Sequence, residues 1–488
     1  MTGTKSFLIG TDRGIGRMHW LPNGVLVLFG FGLAILLARS IVNEAWPLVF
    51  GLVILVPMAI LLMRYPFAAL MMWLLISLLL QTTPDDSTRT IYWMVHRAMP
   101  PLTLGLVALG GLLKVRKGPP VRLGPAGWAM VMFLGWSMAN IFWYQSSPLD
   151  YLYLFYDRVF IPMCLYGLVR LIAPRETDLK WLMPVAAAVV VFETVVGILS
   201  WLAPMLIPQD WVGSASERTI GTLGFYTVYS TTLVFYALLL FQYAMHRRPG
   251  LARSTLVAVF GLGIIGVFFS FSRGSWLGGL VAIAGLLLIY PRTVIRGAIL
   301  VLIFMAILGA SVLSQQMTFA QERLNSEDTA MDRWVVWDAG LQMIERKPVF
   351  GWGYGDYALY AWQFQRSVQN YVAANPHASH NSYIGIAVEL GVPALLLFAF
   401  PVVWWLIRSR RAWPRLPRQG FWSRSLLIVL WLVIVDQLVV SFFSDMRVSP
   451  YGVGLWWITL GLIGNLVDHY SRADNVRRTS WIERVAQP

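Results

Sequence analysis

The sequence predicts an all-α polytopic membrane protein with about fourteen transmembrane helices. Three observations carry that reading. Hydrophobic residues make up 57% of the 488-residue chain and charged residues 13%, about half the ~25% charged of typical soluble domains. Apolar runs of the ~17–25 residues that cross a bilayer as a helix recur along nearly the whole chain. Lys and Arg gather in alternate connections, while Asp and Glu favour the others.

Taken in order, the expected spans are 22–40, 45–63, 65–81, 98–113, 125–144, 151–172, 180–204, 226–245, 251–270, 274–290, 296–314, 383–407, 425–443 and 450–468. No small-residue cleavage site follows the first, so it reads as a retained span and not a removed signal peptide. With both termini in the cytoplasm, Lys114, Arg116 and Lys117, then Arg247 and Arg248, then the basic run from Arg408 to Arg424 all fall on the cytoplasmic side. The net charge of +14 is therefore mostly a topology signal and does not mark a nucleic-acid surface. Cys164 is the single cysteine, which excludes an intramolecular disulfide and a thiolate metal cluster.

Eleven expected spans precede the segment 315–382, which then lies outside the cytoplasm and divides the chain into 1–314, 315–382 and 383–488. Structureless loops of this length are uncommon. Its eleven aromatic residues and its helical pattern argue for a folded loop domain.

Membrane insertion explains basic residues on the inner face but not arginines on the outer one. Four outer arginines stand out: Arg218, Arg273, Arg333 and Arg447. Arg273 sits in F-S-F-S-R-G-S-W-L-G-G, a short connection between apolar helices, where a charge needs a partner. Guanidinium forks match phosphate oxygens; snorkelling to headgroups is the plainer account. Arg333 opens an expected amphipathic helix whose apolar stripe is Trp334, Trp337, Leu341 and Ile344 and which Pro348 closes. Such a helix would lie on the outer membrane surface.

The run Gly351-Trp352-Gly353-Tyr354-Gly355 follows no strand, so tight turns explain it better than a nucleotide loop. His377 and His380 precede the next span. Histidine is the usual general base near neutral pH, and Asn381 beside it is placed to orient a substrate or to cap a helix. Glu389 is expected well inside that span, as a functional acid or as an arginine's partner. The only adjacent carboxylate pairs, Asp85-Asp86 and Glu327-Asp328, are outer-loop residues. No metal site and no cofactor is expected.

Together these motifs are more specific than any one of them. The order S-R-G-x-x-L-G, then R-W-x-x-W-x-x-G-L-x-M-I-x-x-x-P-x-x-G-x-G, then H-N-S-Y and E-x-G, over about Phe269 to Ile407, resembles the bacterial O-antigen ligase and polymerase superfamily. The resemblance implies a GT-C-like glycosyltransferase architecture in the inner membrane with a large periplasmic loop. It also implies transfer of a glycan from undecaprenyl diphosphate to a hydroxyl acceptor, such as lipid A-core or another glycan. Arg273 and Arg333 match family arginines that engage the lipid diphosphate, and His380 matches the histidine of acceptor activation. Arg218 resembles a further diphosphate contact, and Asn381, Tyr383 and Glu389 fall within the substrate-side motifs. Direct displacement would be metal-independent and inverting.

Ligase and polymerase share these motifs, and two other classes compete. A solute transporter would use the intramembrane Asp157, Arg158, Glu193 and Asp436 as an ion relay, although no inverted repeat is evident. A scaffolding protein would use the loop aromatics for docking.

Overall fold

The computed structural model describes residues 57–82, 86–112, 123–213, 218–309, 314–325, 328–365 and 378–485. Among them every regular element is a helix and no strand forms. Seven helices are long and apolar enough to cross a membrane: Pro148–Ile172, Glu176–Leu202, Tyr226–Met245, Leu251–Phe269, Val392–Arg415, Arg424–Phe443 and Pro450–Ser471. An eighth crossing arises if Pro57–Arg64 and Pro66–Leu79, bent by 98°, form one broken span. The bend falls at Tyr65, the residue that the Pro66 ring disfavours in a helix.

The expected spans at 98–113, 125–144, 274–290 and 296–314 are also helical, as Met99–Leu112, Pro125–Tyr144, Arg273–Gly285 and Pro291–Gly309, but they are not among the seven. The span expected at 22–40 and most of that at 45–63 lie outside the described residues. The structure thus gives a multi-pass helical membrane protein without a count of fourteen.

Two helices form the axis of the bundle. Tyr226–Met245 is buried along nearly its whole length, as is the apolar part of Pro450–Val485. Neither turns a polar face outward over this length, the pattern of a helix with no solvent side. The Tyr236 and Tyr451 hydroxyls meet at 2.9 Å between them, and Tyr451 donates to the Leu74 carbonyl at 2.8 Å, so these buried polar groups are satisfied. Glu176–Leu202 and Leu251–Phe269 pack on the first axial helix, Ile161–Ile172 packs on the second, and Arg273–Gly285 lies along Arg424–Phe443.

Two expectations need correction. The span expected at 383–407 is broken at Gly391, whose φ of +85° separates Ser382–Leu390 from Val392–Ala412. A side chain there would strike the Val349 carbonyl. The Pro348–Gly353 backbone runs against the break, with Trp352 N–H donating to Val388 O at 2.9 Å and Val392 N–H to Pro348 O at 2.8 Å. Glu389 therefore lies on a short helix beside the loop and not inside a long span.

The second correction is the stripe of the Asp328–Arg346 helix. Its buried side is Val335, Val336, Ala339 and Met343, packed with Tyr357, Ala361 and Val388. Trp334 and Leu341 face outward, 64% and 53% exposed. These residues form a small core of their own, so the helix packs first on protein and leaves part of the expected stripe outside.

Candidate active site

Local chemistry sets each functional side chain. Ser272 N-caps the Arg273–Gly285 helix, its hydroxyl accepting the Ser275 N–H at 3.4 Å. Arg273 is therefore held at the first helical position. Phe271 just before it has φ +45° and packs among Trp201, Phe268, Phe269 and Phe319, which fixes the turn. Arg218 lies over the Tyr226 ring, 4.4 Å from its centroid, at the start of the axial helix. Arg333 lies 5.7 Å from the centroid of Phe443. Phe443 also closes on Gly274, where a side chain would meet its Cβ at 2.9 Å. The end of Arg424–Phe443 is thus wedged between the helices that carry Arg273 and Arg333.

His380 is presented by a strained turn at φ +47°, a conformation that costs on the order of 1–3 kcal/mol unless its surroundings enforce it. Here both flanks are tied down. The Ser379 hydroxyl donates to Asp445 Oδ2 at 3.0 Å, Ser382 donates to the Ser444 carbonyl at 3.1 Å, and Met446 N–H donates to Ser382 at 2.9 Å. Asn381 is the N-cap of Ser382–Leu390, accepting the N–H groups of Tyr383 and Ile384 at 2.9 and 3.1 Å. Its capping role is what the structure gives it. Tyr383 donates to the Leu438 carbonyl at 3.0 Å.

Electrostatics tie the four groups together. Burial, and then the neighbouring Arg218, lower the Arg273 guanidinium from its ordinary value. Burial lowers Arg333 too, with Arg273 and Arg218 adding to it. Burial and then Arg333 push His380 below the usual histidine value, with Arg218 contributing while Asp445 and Asp332 oppose. The imidazole is therefore held neutral at neutral pH and able to accept a proton. The arginines stay charged, as arginines in proteins do. Among the described residues, neither Arg218 nor Arg333 pairs with a carboxylate, and Arg218 Nε is buried without a hydrogen-bond partner.

Glu389 is not turned to this cluster. It pairs with Arg447, Oε2 to Nη1 at 2.7 Å, and Asp445 holds the same guanidinium at 2.6 Å. Burial alone would raise the Asp445 carboxyl, but Arg447 and the hydroxyl and backbone donors around it outweigh this and keep it below the usual carboxylate value. Sequence reading named Arg447 and left Glu389 open as an arginine's partner, but it missed Asp445 and the Ser379 link that complete the knot. The only signal was S-D-M-R between two apolar runs. His377 lies outside the described residues.

The acids proposed for an ion relay do not join up. Asp157 pairs with Arg97 at 2.7 Å, and Glu193 accepts from Thr222. Asp436 makes no hydrogen bond among the described residues. Nor does any group of three His, Cys, Asp or Glu converge there as metal ligands would.

Fold and site together define a multi-pass helical membrane protein with a cationic cluster and a neutral imidazole beside the small core that the Asp328–Arg346 helix forms. Residues 258–399, less than a third of the chain, carry Arg273, Arg333 and His380 and match the family model described as O-antigen ligase; over that segment the chain is similar to the O-antigen ligase superfamily. No curated protein matches the chain.

Proposed function

We propose that the protein is a membrane glycosyltransferase that moves a glycan from undecaprenyl diphosphate to a hydroxyl acceptor on the periplasmic face. The observation that carries this reading is the gathering of Arg218, Arg273 and Arg333 within electrostatic reach of one another and of His380. Arg218 and Arg333 pair with no carboxylate among the described residues, and a multiply charged anion held between such guanidinium groups relieves their repulsion.

In the proposed reaction His380 accepts the acceptor's hydroxyl proton as the new bond to the anomeric carbon forms. The bond from that carbon to the diphosphate oxygen breaks, and its electron pair leaves with the diphosphate. Arg273 and Arg333, with Arg218 beside them, stabilise that charge in a water-poor site, so the step needs no metal ion. Displacement from the opposite face inverts the anomeric centre. Tyr383, Asn381 and Glu389 shape the site indirectly, through the cap and the Arg447 knot.

The test is purified protein given undecaprenyl-diphosphate glycan and candidate acceptors, lipid A-core among them, with products resolved by length. A single addition identifies a ligase and a ladder identifies a polymerase. Absence of transfer with every acceptor, together with solute uptake in proteoliposomes that survives His380→Ala, would replace this reading with the transporter one.

A further inference from the structure

A second polar site lies at the far end of the bundle. Pro148–Ile172 begins near Tyr151, whose hydroxyl donates to Asp356 of the loop domain at 3.0 Å, and ends beyond Arg170. Pro450–Ser471 begins beside Arg447 and ends beyond Asp468. These helices have 25 and 22 residues, so about 33–38 Å of helix separates their ends, enough to cross the ~30 Å hydrocarbon core of a bilayer. The cavity at that end therefore faces the membrane surface opposite His380. It encloses about 480 Å³ and is lined by Arg170, Arg175, Trp422, Asn465, Asp468 and Tyr470, among others.

Its floor is built and not incidental. Asp468 is shared by Arg170 at 2.5 Å and Arg408 at 3.2 Å. Asn465 accepts from Arg170 at 2.7 Å and donates to the Val169 carbonyl at 2.7 Å, fixing its own orientation. Gly464 leaves the space that Arg170 occupies, since a side chain there would meet Nη1 at 2.8 Å, and Trp405 covers the guanidinium at 4.8 Å. Two guanidiniums on one carboxylate leave surplus positive charge, to which the exposed Arg175 adds. Glu176 does not cancel it, because Lys180 already holds that carboxylate at 2.6 Å, and Asp178 is engaged as a helix cap, accepting the Arg175 backbone N–H at 2.7 Å, so the surplus is about one positive charge.

Trp422 and Tyr470 flank the opening, joined by the Tyr470 hydroxyl donating to the Trp422 carbonyl at 2.9 Å. Such aromatic side chains sit at headgroup level. A basic surface on this side would serve insertion alone. A concave pocket with a locked arginine on its floor fits a ligand, and basic pockets between helices at this depth take anionic lipid headgroups.

We propose that this cavity binds the phosphodiester headgroup of an anionic phospholipid from the leaflet opposite the His380 site. Arg175 and Arg170 meet the phosphate oxygens, Arg408 helps to offset the Asp468 charge behind them, and Trp422 and Tyr470 flank the glycerol. The proposal stands apart from the glycosyl-transfer reading.

The test is native mass spectrometry of the full chain in detergent, titrated with phosphatidylglycerol, with phosphatidylcholine and with inorganic phosphate. Phosphatidylglycerol should be retained and phosphatidylcholine lost. Arg175→Gln should weaken phosphatidylglycerol retention about tenfold, the loss of one charge-assisted contact, and Arg175→Lys should recover part of it. Arg292→Gln, at an exposed arginine on the Pro291–Gly309 helix, should change nothing. Equal retention of both lipids, or equal weakening by Arg175→Gln and Arg292→Gln, would overturn the proposal. Displacement of the lipid by inorganic phosphate at equal concentration would make free phosphate the ligand and overturn it too.

Discussion

The Arg447 knot gives the sharpest test of which acids near the site contact substrate and which build the scaffold. Glu389 is 5% exposed and gives Arg447 one contact of 2.7 Å and a longer one of 3.4 Å. Asp445 gives the same guanidinium contacts of 2.6 and 2.8 Å. Glu389→Gln keeps the shape and one acceptor oxygen but removes the charge, while Asp445 still neutralises Arg447. The expected loss is that of one charge-assisted hydrogen bond, about 1.5–3 kcal/mol. Arg447→Met strands two carboxylates, and breaking a buried pair in this way costs about 3–5 kcal/mol. In the double variant one of those two charges is already gone, so the two changes are coupled and not additive. The assay is the denaturation midpoint of purified protein alongside its transfer rate. A Glu389→Gln protein with an unchanged midpoint and no transfer would refute the scaffold role and return Glu389 to the substrate.

Four further predictions concern the cluster and the Arg447 knot beside it. His380→Ala should lower transfer by roughly 10²–10⁴, the usual worth of a positioned acid–base group, with the midpoint of unfolding unchanged; near-normal product would remove His380 from the chemistry. Transfer by the unaltered protein should rise with pH as the imidazole loses its proton, with half its maximum below the ordinary histidine value of 6.5. Arg333→Gln should lower the rate by about 10²–10³. Because it also removes the second cause of the His380 shift, it should move the acid limb of the residual activity to higher pH, and an unmoved limb would separate the two residues. Gly385→Ala should destabilise the protein, since the added methyl collides with the Arg447 guanidinium that two carboxylates hold in place; an unchanged midpoint would show that the knot can shift.

What was legible in the chain follows from which patterns are local. Tyr226–Met245 and Arg424–Phe443 could be bounded to within a residue because a bilayer demands long apolar runs, and their ends are marked by polar residues. The arginines and His380 were visible because a charge among apolar runs needs a reason wherever it folds. Pairing is not local. Whether Glu389 meets a substrate or Arg447 depends on residues 58 positions apart, and the break at Gly391 depends on the Val349 carbonyl arriving beside it. The displaced stripe has the same origin. Trp334, Trp337, Leu341 and Ile344 have helical spacing, but Val335, Val336, Ala339 and Met343 have it as well. Periodicity cannot choose between two apolar faces of one helix; the Tyr357–Phe364 segment, which packs against the second, does. The membrane therefore dictates where the spans lie, while the geometry around His380 is set by loop contacts such as Ser379 to Asp445 and Ser382 to Ser444, which no window of sequence contains.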